Sequence, residues 1–147
     1  MPAVEWTVHI NRTPRDVFAF VSDYGRDPTW RSEVMSMTYQ NPGPTGVGRL
    51  VLEKSRVFGQ QLETMSEVIE YEPEDKIVSR SISGPTPVIS YRRVTPEAGG
   101  TRFAYRLEVD LSKSWFFRLL RPILMPRYKK TFESYLTRLK QILESQA

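Results

Sequence analysis

Between residues 32 and 111 the chain passes through six strand-like tracts whose joins are too short for crossover helices, and this constrains the fold more than any other feature. The tracts fall near 32–40, 47–57, 60–72, 75–83, 87–95 and 101–111. Turn sequences punctuate them, among them Asn41-Pro42-Gly43-Pro44, Glu72-Pro73-Glu74-Asp75 and Pro96-Glu97-Ala98-Gly99-Gly100. Parallel neighbours need a connection of about a dozen residues or more, so successive tracts pair antiparallel. The last tract is the clearest: Thr101, Phe103, Tyr105, Leu107, Val109 and Leu111 alternate with Arg102, Ala104, Arg106, Glu108 and Asp110. The inward parity of 47–57 and 60–72 is poor.

A seventh strand precedes these, because Val4, Trp6, Val8 and Ile10 alternate with Glu5, Thr7 and His9. Thr13-Pro14-Arg15-Asp16 then reads as a helix start, with Thr13 as cap, Pro14 in the first turn and Asp16 near the exposed amides. Val17, Phe18 and Val21 form its apolar face, and Asp23–Pro28 breaks it, with one more turn before Trp30. At the other end Tyr128, Phe132, Tyr135, Leu136, Leu139, Ile142 and Leu143 recur at helical steps. Pro122 and Pro126 do not fit one unbroken helix without cost. A short helix near 114–121 is therefore expected, then a kink or break, then a main helix from Pro126 to about Glu144, roughly 28 Å long. Strand and helix tracts are segregated, so the class is α+β. The expected architecture is a seven-stranded curved antiparallel sheet wrapped around a long C-terminal helix, with short helices after the first strand, in a single domain over 1–147.

Successive turns of a meander alternate between the two ends of the sheet. One end collects 41–46, 72–75 and 96–100, which are acidic or rich in Pro and Gly. The other collects Val57–Gln60, Ser83–Thr86 and Ser112–Trp115, which carry Phe58, Pro85 and Trp115. Large apolar groups on loops at one end suggest a mouth, made of Trp30, Phe58, Pro85, Trp115 and Phe116.

This order of elements resembles the START-like, helix-grip superfamily, and within it the polyketide cyclase/dehydrase and lipid-transport (SRPBCC) family. The resemblance rests on Asn11–Phe18, on Asp23 with Trp30, and on Gly46-Val47-Gly48. It continues through Glu67–Pro73, Gly99-Gly100-Thr101-Arg102 and Leu139–Glu144. These motifs are structural punctuation, so together they speak for the fold and not for an activity. The resemblance implies a hydrophobic ligand held between sheet and helix. Trp6, Val8, Met35, Met37, Tyr91, Phe103, Tyr105, Leu107, Tyr128, Phe132 and Tyr135 are the candidate lining. Met suits an adaptable apolar surface and Tyr an apolar body with one hydrogen bond. The plainer alternative is that these side chains fill the core.

The composition narrows the chemistry. There is no cysteine and only one histidine, His9, so thiolate nucleophiles, thiolate zinc sites and sites with several histidines are excluded. His9 points away from the Trp6/Val8 face and reads as a surface residue. No catalytic set, metal site or cofactor is assigned. A cyclase or dehydratase acting by shaping a reactive chain would need few polar groups, of which Tyr91, Arg93, Tyr105 and Tyr128 are candidates. Of 21 Lys and Arg residues, six (Lys113, Arg118, Arg121, Arg127, Lys129, Lys130) lie in one acid-free stretch, leaving 15 against 17 acids elsewhere. Interleaved with Trp115, Phe116, Phe117, Leu119 and Leu120, they suggest peripheral contact with an anionic membrane; snorkelling basic residues on an ordinary helix are the alternative. No nucleic-acid motif appears. The N-terminus lacks the charged start and apolar run of a signal peptide, and no stretch approaches the ~20 apolar residues of a membrane span. A cytoplasmic protein is expected. Three functions are thus weighed: binding or transport of a hydrophobic small molecule or lipid, a polyketide cyclase/dehydratase-like enzyme using the same cavity, and a protein-interaction module without a small ligand.

Overall fold

The fold, described from a computed structural model, covers residues 3–57, 59–110 and 115–146, with the side chains of 115–125 left undescribed. Strand β1 (Ala3–Ile10) leads into helix α1 (Pro14–Val21) and a 3-10 segment (Tyr24–Thr29). Strands β2 (Val34–Tyr39), β3 (Leu50–Val57), β4 (Gln60–Glu72), β5 (Lys76–Ser83), β6 (Val88–Glu97) and β7 (Gly100–Val109) follow, and helix α2 (Trp115–Ser145) ends the chain. The seven strands form one antiparallel sheet in the order β1-β7-β6-β5-β4-β3-β2. This is the helix-grip arrangement. The connection from β1 to β2 must therefore travel from one edge of the sheet to the other, and α1 with the 3-10 segment makes that crossing.

Local chemistry fixes the joints. Thr13 is extended, and its hydroxyl accepts from the Asp16 N–H at 3.1 Å, while Pro14 occupies the first turn. The β6–β7 turn is tighter than its sequence suggests. Glu97 pairs with Gly100, so only Ala98 and Gly99 form the loop, with φ of 42° and 80°. Positive φ at both central residues is the two-residue hairpin turn that matches strand twist. Pro96 thus lies within β6, beyond the stretch where β5 pairs with it, and costs no ladder donor. A Cβ at Gly100 would stand 2.5 Å from the Ile10 carbonyl oxygen, so β1 approaches β7 as only glycine allows.

Helix α2 differs from expectation. One helix of 31 residues includes both Pro122 and Pro126, where a kink or a break was expected, so the break does not occur. The prolines are four residues apart, so the two missing N–H donors fall close together on one side of the helix. Its second half packs on the core: Leu136, Leu139 and Leu143 are buried with Ile10, Val17, Val21, Ile77 and Phe103. Polar ties fasten the same end. Lys140 Nζ donates to the His9 carbonyl at 2.6 Å, Arg12 Nη1 to the Leu143 carbonyl at 2.6 Å, and the Asn11 N–H to Glu144 Oε2 at 2.9 Å.

Candidate functional site

Strand register sorts the concave face into rows. One row reads Trp6, Tyr105, Arg92, Ile77 and Tyr71 from β1 to β4. Beside it Val8, Phe103 and Val94 align, and the large side chains are Trp6, Tyr105, Arg92, Tyr71 and Phe103. The row on the other side reads Val4, Leu107, Ser90, Ser79 and Val68, and next to it Ser81 pairs with Ser66 and Ser66 with Val51. The face therefore falls from large to small side chains toward the end of the sheet where β7 runs out and α2 begins.

The large end is an aromatic cluster. Trp6 stacks on Phe132 at 4.5 Å between centroids, and Tyr105 on Phe132 at 5.8 Å. Trp30 meets Phe103 and Tyr105 edge-on at 6.3 and 5.9 Å, and Phe132 meets Tyr135 at 5.0 Å. Of the residues expected to line a cavity, Trp6, Phe103, Tyr105, Phe132 and Tyr135 are brought together here, with Val8, Met37 and Leu107 against the same core. Tyr128 is half-buried, and its hydroxyl is held up by burial and by Glu33.

Four expected positions change. Tyr91 pairs with Arg106, opposite Glu5, on the convex face, where Arg106 lies over its ring at 5.9 Å. Arg93, a polar candidate for catalysis, is exposed. Met35 is 49% exposed because a bulge between Val34 and Ser36 puts it on the opposite side from Met37. Trp30, expected at the mouth, is only 2% exposed: the 3-10 segment folds inward and delivers it to the core. Its edge, with Tyr135, floors a cleft of about 310 Å³ between Pro28–Ser32 and Ser134–Arg138. Pro85 is exposed. Phe58 and the side chains of Trp115 and Phe116 lie outside the described residues.

The sequence reading missed a buried ionic network. Arg92 is 1% exposed and Asp27 is wholly buried. Arg92 Nη1 donates to Asp27 Oδ1 and to the Val21 carbonyl, both at 2.9 Å, and Nη2 donates to Asp27 Oδ2. The guanidinium lies 4.6 Å from the Tyr24 ring, 5.1 Å from Trp30 and 5.2 Å from Tyr105. Arg31 extends the network: Nη1 donates to Asp27 Oδ2 at 2.9 Å and to Glu53 Oε1 at 2.7 Å. Two cations face two carboxylates. Burial alone would ease the proton off Arg31, yet Glu53 and Asp27 hold it firmly charged. Nearby, burial and then Glu33 push the Tyr135 hydroxyl well up, and burial raises Tyr24 against the pull of Arg92. These groups are neutral hydroxyls or fixed charges at neutral pH, an arrangement that orients and hydrogen-bonds more readily than it transfers protons.

Comparison with known proteins places the chain. The family model described as polyketide cyclase / dehydrase and lipid transport matches residues 1–144. The chain belongs to this polyketide cyclase/dehydrase and lipid transport family. Its fold is shared by the protein TTHA0849 from Thermus thermophilus (TM-score 0.84, 21% identity, 99% of each chain). It is shared too by a START superfamily protein from Mycobacterium smegmatis (0.78, 16%, 99% of each). Zhui aromatase/cyclase from Streptomyces sp. R1128 gives 0.75 at 13% identity over 97% of this chain and 93% of that one. At such identities the likeness is one of fold. No curated protein sequence matches the chain. Among the described residues, no helix is long and apolar enough to cross a membrane.

Proposed function

We propose that this family member binds a hydrophobic small molecule or lipid over the small-residue end of the concave face. The observation that carries the reading is the fall in side-chain size across the sheet. Trp6, Tyr105, Tyr71 and Phe103 close one end, while Ser66, Ser79, Ser81 and Ser90, on three adjacent strands, are small side chains at the other. A closely packed core puts large side chains where space must be filled; a run of serines on an inward face fits a site whose filling comes from elsewhere. Membership of a family described by polyketide and lipid chemistry supports the same class of occupant. Native mass spectrometry of freshly purified protein, with organic extraction of what leaves it, tests this. A reproducible bound lipid or polycyclic mass is expected. A clean apo mass, with no stabilisation by a panel of hydrophobic ligands, defeats the reading and moves weight to a protein-interaction role.

We also propose that the helix carrying Arg127, Lys129 and Lys130 rests on anionic membrane during pickup or delivery. All three are exposed, and each basic group near such a surface is worth about 1 kcal/mol.

A further inference from the structure

Helix α2 and the 3-10 segment do not close against each other along their whole length. Between Pro28–Ser32 on one wall and Ser134–Arg138 on the other lies the cleft of about 310 Å³ floored by Trp30 and Tyr135. Both floor residues are 2% exposed, so they are packed firmly from behind. Trp30 has Phe103 and Tyr105 against it, and Tyr135 has Phe132. A floor braced in this way holds its shape. It belongs to the aromatic end of the interior, so the cleft is separate from the serine rows of the concave face.

The rim is polar and its charge is of one sign. Thr29, Ser32, Ser134 and Arg138 are exposed there. Thr29 and Ser134 give their hydroxyl protons to the Arg26 and Thr131 carbonyls, which leaves Ser32 and Arg138 as the side-chain donors that meet an incoming molecule. Among the described residues Arg138 has no hydrogen bond or ion pair, and no carboxylate lines the cleft. The acids nearest in sequence are engaged elsewhere. Asp27 is wholly buried against Arg92 and Arg31, and Glu33 takes the Tyr135 hydroxyl.

An unpaired surface arginine is ordinary in itself. Here it stands over a concave apolar floor, and ligand sites combine those two things: apolar walls with a few polar groups that fix orientation. The volume lies at the small end of the range for such sites, roughly 300–1,000 Å³, and suits one or two rings better than a lipid. One guanidinium matches one carboxylate through paired N–H donors. A phosphate monoester, close to doubly charged, would be left half neutralised.

We propose that this cleft is a second ligand site, which takes a small aromatic carboxylate with its ring over Trp30 and Tyr135 and its carboxylate on Arg138. The site stands independently of the one proposed on the concave face.

Titration calorimetry at low ionic strength, with 2-naphthoate and its neutral analogue 2-naphthamide, tests the assignment. The native protein is expected to bind the acid roughly threefold more tightly than the amide, or better. Arg138→Gln is expected to remove that preference and leave the amide unchanged. Ser134→Trp, at an exposed helix position, puts an indole into the cleft and is expected to abolish binding of both probes. Circular dichroism checks its fold, and Ser32→Trp blocks the cleft from the opposite wall if α2 does not tolerate the change. No binding of the acid by the native protein, or equal binding of acid and amide, overturns the site. A preference that survives Arg138→Gln overturns it as well. Binding that survives a folded blocking variant puts the probes elsewhere on the molecule, the concave face included, and is equally fatal to it.

Discussion

A single side chain, Arg92, ties the interior together. It reaches from β6 to the Val21 carbonyl at the end of α1 and to Asp27 in the 3-10 segment, so one guanidinium secures three elements. A buried ion pair is weak evidence for stability in itself, but removing one partner strands the other. Arg92→Met is expected to lower unfolding free energy by about 3–5 kcal/mol, a large share of the roughly 5–15 kcal/mol typical of such domains. Urea unfolding measures it, and a cost below about 1 kcal/mol would show that Asp27 is adequately served by Arg31. The sequence could have disclosed Arg92. Counting outward from a two-residue Ala98–Gly99 turn brings Arg92 opposite Tyr105 and Tyr91 opposite Arg106. Reading Pro96–Gly100 as a longer loop removes that count, which is why Tyr91 was expected inward and Arg92 was overlooked.

At the scale of elements, strand and helix positions were legible because period-two alternation and turn residues are local signals. Parity was not. Bulges at Met35 in β2, Ile69 in β4 and Ile82 in β5 each reverse the in–out count partway along their strand. This explains the poor pattern of 60–72 and the misplacement of Met35. Helix α2 carries its own prediction. Lys140 and the Asn11 N–H hold the Glu144 carboxyl below its ordinary value of 4.5. A folded value below the unfolded one means that the contact stabilises above about pH 4.5 and is lost as pH falls through the folded value. Glu144→Gln is therefore expected to be less stable at neutral pH and to show a shallower acid limb, the two curves converging once the pH lies below the folded value. Urea midpoints across that range check it; parallel curves would show that Glu144 contributes nothing through its charge.

For the whole molecule, the order of elements and a handful of punctuating motifs sufficed for the family, because a meander plus one amphipathic helix has few ways to bury its apolar faces. The occupant of the concave face was less legible, since the same aromatic spacing serves a filled core and a lined cavity. The membrane reading belongs to this scale also. Flotation with liposomes containing anionic lipid is expected to carry the protein upward at low salt and to release it as salt is raised. Charge reversal at Arg127, Lys129 and Lys130 should abolish it, and salt-insensitive recovery, or none, would end that reading.

The pairing of β1 with β7 has a consequence in time. Ile10 waits for Thr101 and Ala3 for Glu108, partners about a hundred residues later in the chain. At synthesis rates of roughly 5–20 residues per second, the first strand leaves the ribosome some 5–20 s before its partner exists. During that interval Trp6 and Ile10 have no sheet to enter, and α1 has no core to cover. The sheet must grow from its later hairpins, and the residues of β1 are among the last to find their place.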